Sequence, residues 1–313
     1  MTWMDTVRIP ELKRDVSRLG LGGAWFRAEN QDLAFSLLDR FRELGGNIVD
    51  TGRIYGDGEA EQTLGRWLAD RDAHADFMVL DKGCHHPPHD FGPQAIHDDI
   101  SRGLDCLGVD YIDLWLFHRD KPSHPVGPLI DALNEEVARG RIRAFGCSNW
   151  STARLAEANE YARANGLMGM AVASPNLALA TPREPYWSGC THATEEDVAW
   201  HARAGVPIIA WSSQAAGFFR DDSSPENTRD PNLVRVYHSP ENFEKLRRAR
   251  ELASEKGASA VQIALAWTLH QPAPVVALVG PHTIGEVDSC VAALEIKLTQ
   301  AEVDWLALRR DDR

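Results

Sequence analysis

The stretch from Asn47 to Leu68 reads NIVDTGRIYGDGEAEQTLGRWL. It begins with a short apolar run ending in Asp50 and crosses a glycine-rich polar turn that carries Tyr55. It then enters a segment, Ala60–Asp70, whose apolar residues recur at helical spacing. That is one strand followed by one helix. An apolar run without polar alternation belongs to a strand covered on both faces, the condition of a parallel sheet wrapped by helices.

Working outward, the same unit repeats along the chain. Candidate strands are Arg18–Gly22, Asn47–Asp50, Phe77–Asp81, Ile112–Phe117, Ile142–Gly146, Met170–Ala173, Pro207–Trp211 and Val275–Val279. Between them the spacing predicts helices over Gln31–Leu44, Ala60–Asp70, Gln94–Leu107, Leu129–Arg139, Thr152–Asn165, Glu195–Ala204, Ser259–His270 and Ile284–Ala293. Gly45-Gly46, Gly108, Gly140, Gly166 and Gly205 each follow a helical run, where a left-handed cap is needed. Ser151-Thr152 and Thr194 are helix starts, the latter followed by Glu195-Glu196-Asp197 in the first turn. Eight strand–helix units predict an α/β protein, a (β/α)8 TIM barrel forming a single domain over residues 1–313. An open doubly wound sheet is the alternative. Two segments stand outside the alternation. Thr6–Asp15 predicts an N-terminal hairpin closing the barrel floor, and Ser174–His192 with Phe218–Asn242 predict long βα loops over the mouth.

Composition narrows the function classes. With 313 residues, 43% of them hydrophobic, the chain can bury one large core. A net charge of −13, from 46 acidic against 33 basic residues, argues against nucleic acid as a partner and offers no polybasic patch to a membrane. No apolar run is long enough to span a bilayer, and Met1–Pro10 shows no secretory pattern. Cys84, Cys106, Cys147, Cys190 and Cys290 are scattered and odd in number, which fits reduced thiols and a cytoplasmic protein.

In a barrel, chemistry sits at the C-terminal ends of the strands. The second strand delivers Asp50 and, in its loop, Tyr55; the third runs into Lys82; the fourth runs into His118. These four types work together in carbonyl reduction. A phenol supplies the proton, an ammonium beside it lowers its pKa, a carboxylate holds the ammonium, and an imidazole polarises the substrate oxygen. Taken singly, the tyrosine reads as packing, the lysine as a residue reaching solvent and the histidine as structural. Their coincidence on adjacent strand ends favours the catalytic reading.

Asn47–Leu68 resembles the aldo-keto reductase signature around the catalytic Asp and Tyr, and LDCLGVDYIDLWLFH, Leu104–His118, resembles the second, which ends in the catalytic His. The likeness continues through Gly146-Cys-Ser-Asn-Trp150 to Ala277–Leu294. It implies that Asp50, Tyr55, Lys82 and His118 form an intact catalytic tetrad in an NAD(P)-dependent oxidoreductase. It further implies that Ser148 and Asn149 bind the nicotinamide amide, and that Ser174 stands where the family commonly has Gln. Trp211 would be the aromatic shelf, Ser212 would approach the pyrophosphate, and Gly280, His282 and Glu286 would face the cofactor. Val279–Asp288 contains no Lys or Arg to clamp a 2′-phosphate, and Glu286 suits ribose hydroxyls, so NADP and NAD both stay open as cofactors.

Trp25 and Arg119 are the candidate substrate-binding residues; Trp150, Trp187 and Phe218-Phe219 line a pocket or pack in the core. Cys84-His85-His86-Pro-Pro-His89 matches no standard zinc spacing, and no metal is expected. Two other function classes compete. A nicotinamide-binding regulatory or sensor protein could use the same barrel, and a metal-dependent isomerase is disfavoured by Lys82 beside Asp50 and His118.

Overall fold

The structure, a computed structural model, describes residues 4–12 and 14–313. An antiparallel pair, β1 (Thr6–Ile9) and β2 (Arg14–Ser17), precedes eight parallel strands. These are β3 (Leu19–Gly22), β4 (Ile48–Asp50), β5 (Met78–Gly83), β6 (Ile112–Phe117), β7 (Ile142–Ser148), β8 (Ala173–Ser174), β9 (Ile208–Ala210) and β10 (Val275–Val279). They close into a barrel in chain order, β10 pairing with β3. The predicted barrel and its hairpin are both present, and the open sheet is excluded by the β10–β3 closure.

Side-chain parity separates two environments. Ile48, Met78, Leu80, Leu114, Leu116, Ala144, Val172, Ile209, Val276 and Leu278 fill the barrel interior and share one cluster with Val7, Ile9 and Val16 of the hairpin. The hairpin thus plugs the floor. Alternate residues such as Val49, Val79, Trp115, Phe145 and Ala277 face outward into the helix-covered core. Successive strand residues point to opposite faces. The inward series therefore continues upward from Ile48 to Asp50, Leu80 to Lys82, Leu116 to His118, Ala144 to Ser148 and Val172 to Ser174. Gly146 occupies a crowded interior layer, where a Cβ would meet the Val172 carbonyl at 2.4 Å and Leu116 at 2.9 Å.

The helices are α1 (Gln31–Glu43), α2 (Glu59–Asp70), α3 (Pro93–Leu107), α4 (Val126–Ala138), α5 (Thr152–Ala164), α6 (Glu195–Ala204), α7 (Pro231–Tyr237), α8 (Pro240–Lys256), α9 (Ala260–Leu269), α10 (Ile284–Ala292) and α11 (Gln300–Leu306). The caps at Ser151 and Thr194 are made as expected, the latter a full capping box with Asp197. Gly108 and Gly205 cap in the left-handed conformation.

The expectation of loop over Phe218–Asn242 is corrected. Asp230 caps α7 through the amides of Asn232 and Leu233, and Ser239 caps α8 through Asn242, each followed by proline at the first helical position. α8 and α11 were not anticipated at all. None of these three helices opens the way into a new barrel strand, so a reading organised by strand–helix alternation passes over them. Phe218 and Phe219 are buried in the core under α7 and α8, and Trp150 stacks on Phe117 with ring centroids 5.1 Å apart. These aromatics pack in the core.

Candidate active site

Asp50 and Lys82 arrive as neighbours because β4 and β5 pair in parallel, with Asp50 opposite Leu80. The loop after β4 is tied to β5 by backbone hydrogen bonds from Thr51 to Leu80 and from Arg53 to Lys82. Arg53 pairs with buried Asp99, whose other oxygen accepts from the Cys84 amide at 2.7 Å. This lacing holds Tyr55 over the end of β5.

Lys82 is 3% exposed and donates three hydrogen bonds: to Asp50 Oδ1, to the Thr51 carbonyl at 2.9 Å, and to Tyr55 Oη at 3.2 Å. An ammonium has three donors, so Lys82 is saturated. Because Tyr55 Oη accepts from Lys82, its own proton is free to point toward the mouth. His118 stands on the other side, its ring centroid 5.4 Å from that of Tyr55 and edge-on to it. Neither of its ring nitrogens bonds a described residue, and Nδ1 is fully buried.

Burial would pull Lys82 down, but Asp50 and Tyr55 outweigh it and hold the ammonium charged. Burial lowers His118 well below the ordinary histidine value, and the charges of Lys82 and Arg119 add to this, so the imidazole is neutral. Tyr55 departs from the sequence expectation of a phenol tuned toward neutral pH. Burial pushes it up, Lys82 and Arg119 pull it down, and the balance stays above the ordinary tyrosine value. Desolvation wins because the phenolate would be taken from water into a site with one nearby ammonium that Asp50 already compensates.

Behind Lys82, Asp81 faces outward against Glu61 of α2, both fully buried. Burial, then the neighbouring Glu61 carboxyl, lift Asp81 well above the usual carboxylate range. A raised carboxyl contributes stability below its unfolded pKa and loses it as pH rises through the folded value. Asp81→Asn, neutral at every pH, is therefore expected to raise Tm by about 2–4 °C at pH near 8 and to leave it unchanged near pH 4. Thermal unfolding by circular dichroism at the two pH values checks this, and equal shifts at both would contradict it.

The expected cofactor residues are gathered at the same rim, with one redistribution. Ser148 Oγ donates to the Ser174 carbonyl at 2.7 Å and accepts from Asn149 Nδ2 at 2.9 Å. Asn149, in the left-handed region at φ 64°, also donates to the His118 carbonyl and accepts from the Thr191 amide. The polar atoms of these two side chains are thus engaged, once with each other and otherwise with backbone groups around them. Ser174 Oγ is buried with no partner among the described residues, leaving a free polar handle at the rim. Trp211 is half-buried, its Nε1 without a partner, with Trp187 at 5.8 Å between ring centroids. Ser212 follows at φ 48°, and Gly280, His282 and Glu286 are exposed beyond β10. Glu286 Oε2 accepts from the His282 amide at 2.6 Å, and the His282 ring packs on Trp25 at 4.6 Å.

One loop spans this rim. Its Ser188 carbonyl accepts from Arg119 Nε, its Thr191 amide donates to Asn149, and the Thr191 carbonyl accepts from the Asn176 amide. His192 joins Asn176 Oδ1 at 2.9 Å. The histidines after β5 do not converge: His85 Nδ1 meets the Pro87 carbonyl and His86 Nε2 the Asp120 carbonyl. Among the described residues no three of His, Cys, Asp and Glu gather around one point. Sequence reasoning missed Thr191, whose amide positions Asn149 and whose carbonyl is held by Asn176, a loop residue that the sequence offered only as a polar substrate contact; Thr191 carries no spacing signal that sets it apart.

The structure is thus a parallel barrel with Asp50, Tyr55, Lys82 and His118 gathered at the C-terminal rim. The chain belongs to the aldo/keto reductase family, whose model matches residues 18–307. It is 28% identical over 302 residues to the norsolorinic acid reductase of Emericella nidulans, covering 90% of this chain and 74% of that one. Its fold is similar to that of the glycerol dehydrogenase of Gluconobacter oxydans, with a TM-score of 0.78 at 26% identity, over 97% of this chain and 95% of the other. An aldo/keto reductase of Klebsiella pneumoniae, solved with NADP and acetate, shares the fold at a TM-score of 0.74 and 24% identity, over 99% and 96% of the two chains.

Proposed function

We propose that this protein reduces a small-molecule carbonyl compound, or oxidises the corresponding alcohol, with Tyr55 as the general acid or base. The observation that carries the reading is the saturation of Lys82, which turns the Tyr55 hydroxyl into a donor aimed at the mouth. Neutral His118, with unpartnered ring nitrogens, donates a hydrogen bond to the substrate oxygen and polarises it. Tyr55 then gives its proton to the oxygen as negative charge develops there. Lys82 stabilises the phenolate left behind, and Asp50 keeps Lys82 charged and in place. Steady-state reduction of aldehydes by the wild-type protein and by Tyr55→Phe tests the role; wild-type rates in the variant would overturn it.

A nicotinamide dinucleotide fits this rim and supplies the hydride when bound. Ser174, with its unpartnered buried hydroxyl, and Asn149 and Ser148 beside it would hold the amide, and the half-buried Trp211 offers an aromatic face. Gly280, His282, Glu286 and Ser212 would hold the rest. NAD is the better-suited form. The first turn of α10 presents Glu286, and across from it Arg40 is occupied by Asp288 at 2.7 Å and Glu43 at 3.2 Å. Among the described residues a 2′-phosphate there would meet the Glu286 carboxylate and an Arg40 already paired. Titration followed by tryptophan fluorescence is expected to show NADH binding about tenfold more tightly than NADPH. Tighter NADPH binding would refute the preference.

A further inference from the structure

Arg119 is a buried charge without a counter-charge. It directly follows β6 and His118, and is 7% exposed. Three cations of the strand ends and the segments that follow them each have a carboxylate: Lys82 has Asp50, Arg53 has Asp99, and Arg154 has Asp120. Among the described residues Arg119 has none. Its Nε donates to the Ser188 carbonyl at 3.3 Å and its Nη1 to the His118 carbonyl at 2.9 Å, while Nη2 meets no acceptor. Backbone carbonyls position a guanidinium but do not neutralise it. A charge taken from water and left unpaired is costly, and an arriving anion relieves that cost.

The placement selects which anion. In the closed barrel order β6 lies across from β10, so Arg119 is on the far side from the Gly280–Glu286 segment proposed to meet the dinucleotide. It is on the same side as His118, and its charge reaches Tyr55 as well as His118. The planar guanidinium fork matches a carboxylate, which can accept two parallel N–H bonds.

We propose that the substrate is a carbonyl compound that also carries a carboxylate, bound by Arg119 while the carbonyl oxygen sits between Tyr55 and His118. This rests on the reductase reading of that same site, so the test must separate the two. The first readout is kcat/KM for 4-formylbenzoate against 4-formylbenzamide, a neutral aldehyde of nearly the same shape. The wild-type ratio is expected to be about 30 or more in favour of the carboxylate. It should collapse to about 1 in Arg119→Met and keep part of its value in Arg119→Lys, which preserves the charge but not the fork. The second readout needs no turnover. Benzoate, followed by tryptophan fluorescence, should bind the wild-type protein at least about tenfold more tightly than Arg119→Met, and more tightly than benzamide does. A wild-type ratio near 1, a ratio that survives in Arg119→Met, or benzoate binding indifferent to Arg119 each overturns the carboxylate assignment. Reduction of neither aldehyde alongside Arg119-dependent benzoate binding would instead leave the anion site standing and refute the reductase reading.

Discussion

Tyr55→Phe is expected to lower kcat for carbonyl reduction by about 10³-fold or more, while the Kd for the dinucleotide stays within about twofold. The split follows from geometry. The substitution removes one oxygen, which accepts from Lys82 and donates into the mouth, and leaves the ring and the Ser148–Asn149–Ser174 group untouched. Direction and pH belong to the same prediction. Tyr55 lies above the ordinary tyrosine value, so the phenol is protonated and ready to donate throughout the neutral range. Wild-type reduction is therefore expected to be flat from about pH 6 to 9. Alcohol oxidation needs the phenolate and should climb with pH over the same interval. Stopped-flow and steady-state rates in both directions check both arms, and a reduction rate that falls steeply through pH 7 would place the acid elsewhere.

Lys82→Met is expected to remove activity and also to destabilise the protein by about 3–5 kcal/mol, because Asp50 is left buried and unpaired. Melting temperature should fall by roughly 10 °C. Chemistry and stability separate in the double variant Asp50→Asn/Lys82→Met. With no uncompensated charge, most of the melting temperature should return while turnover does not. A double variant as active as the wild type would show that neither charge serves Tyr55, and one no more stable than the single variant would show that the pair is not what the single variant broke.

The barrel was legible because its strands are short apolar runs separated by amphipathic helices with glycine and hydroxyl caps, a pattern fixed by burial on both faces. The grouping of polar residues at one rim was legible for a related reason. Asp50, Lys82 and His118 extend inward-facing rows by one step of two residues, so a polar side chain there stands out against Ile48, Leu80 and Leu116. What stayed hidden depends on three-dimensional balance. Whether Tyr55 is raised or lowered turns on how desolvation compares with the pull of Lys82, and no spacing encodes that. That Ser148 bonds the Ser174 carbonyl and Asn149, while the Ser174 hydroxyl stays without a partner, depends on the β7–β8 register. α7 and α8 carried their Asp-Pro and Ser-Pro starts in plain view, yet they lie outside the strand–helix rhythm.

The loop from Ser188 to Thr191 touches Arg119 at one end and Asn149 at the other. A ligand at Asn149 would act on the backbone from which Ser188 meets the guanidinium, and one at Arg119 on the amide that steadies Asn149. A dinucleotide and a carboxylate placed as proposed would share one strip of chain, and their binding free energies are expected not to add simply. Thermodynamics then requires the favour to be mutual: the factor by which a bound dinucleotide tightens the hold on the second molecule is the factor by which that molecule tightens the hold on the dinucleotide.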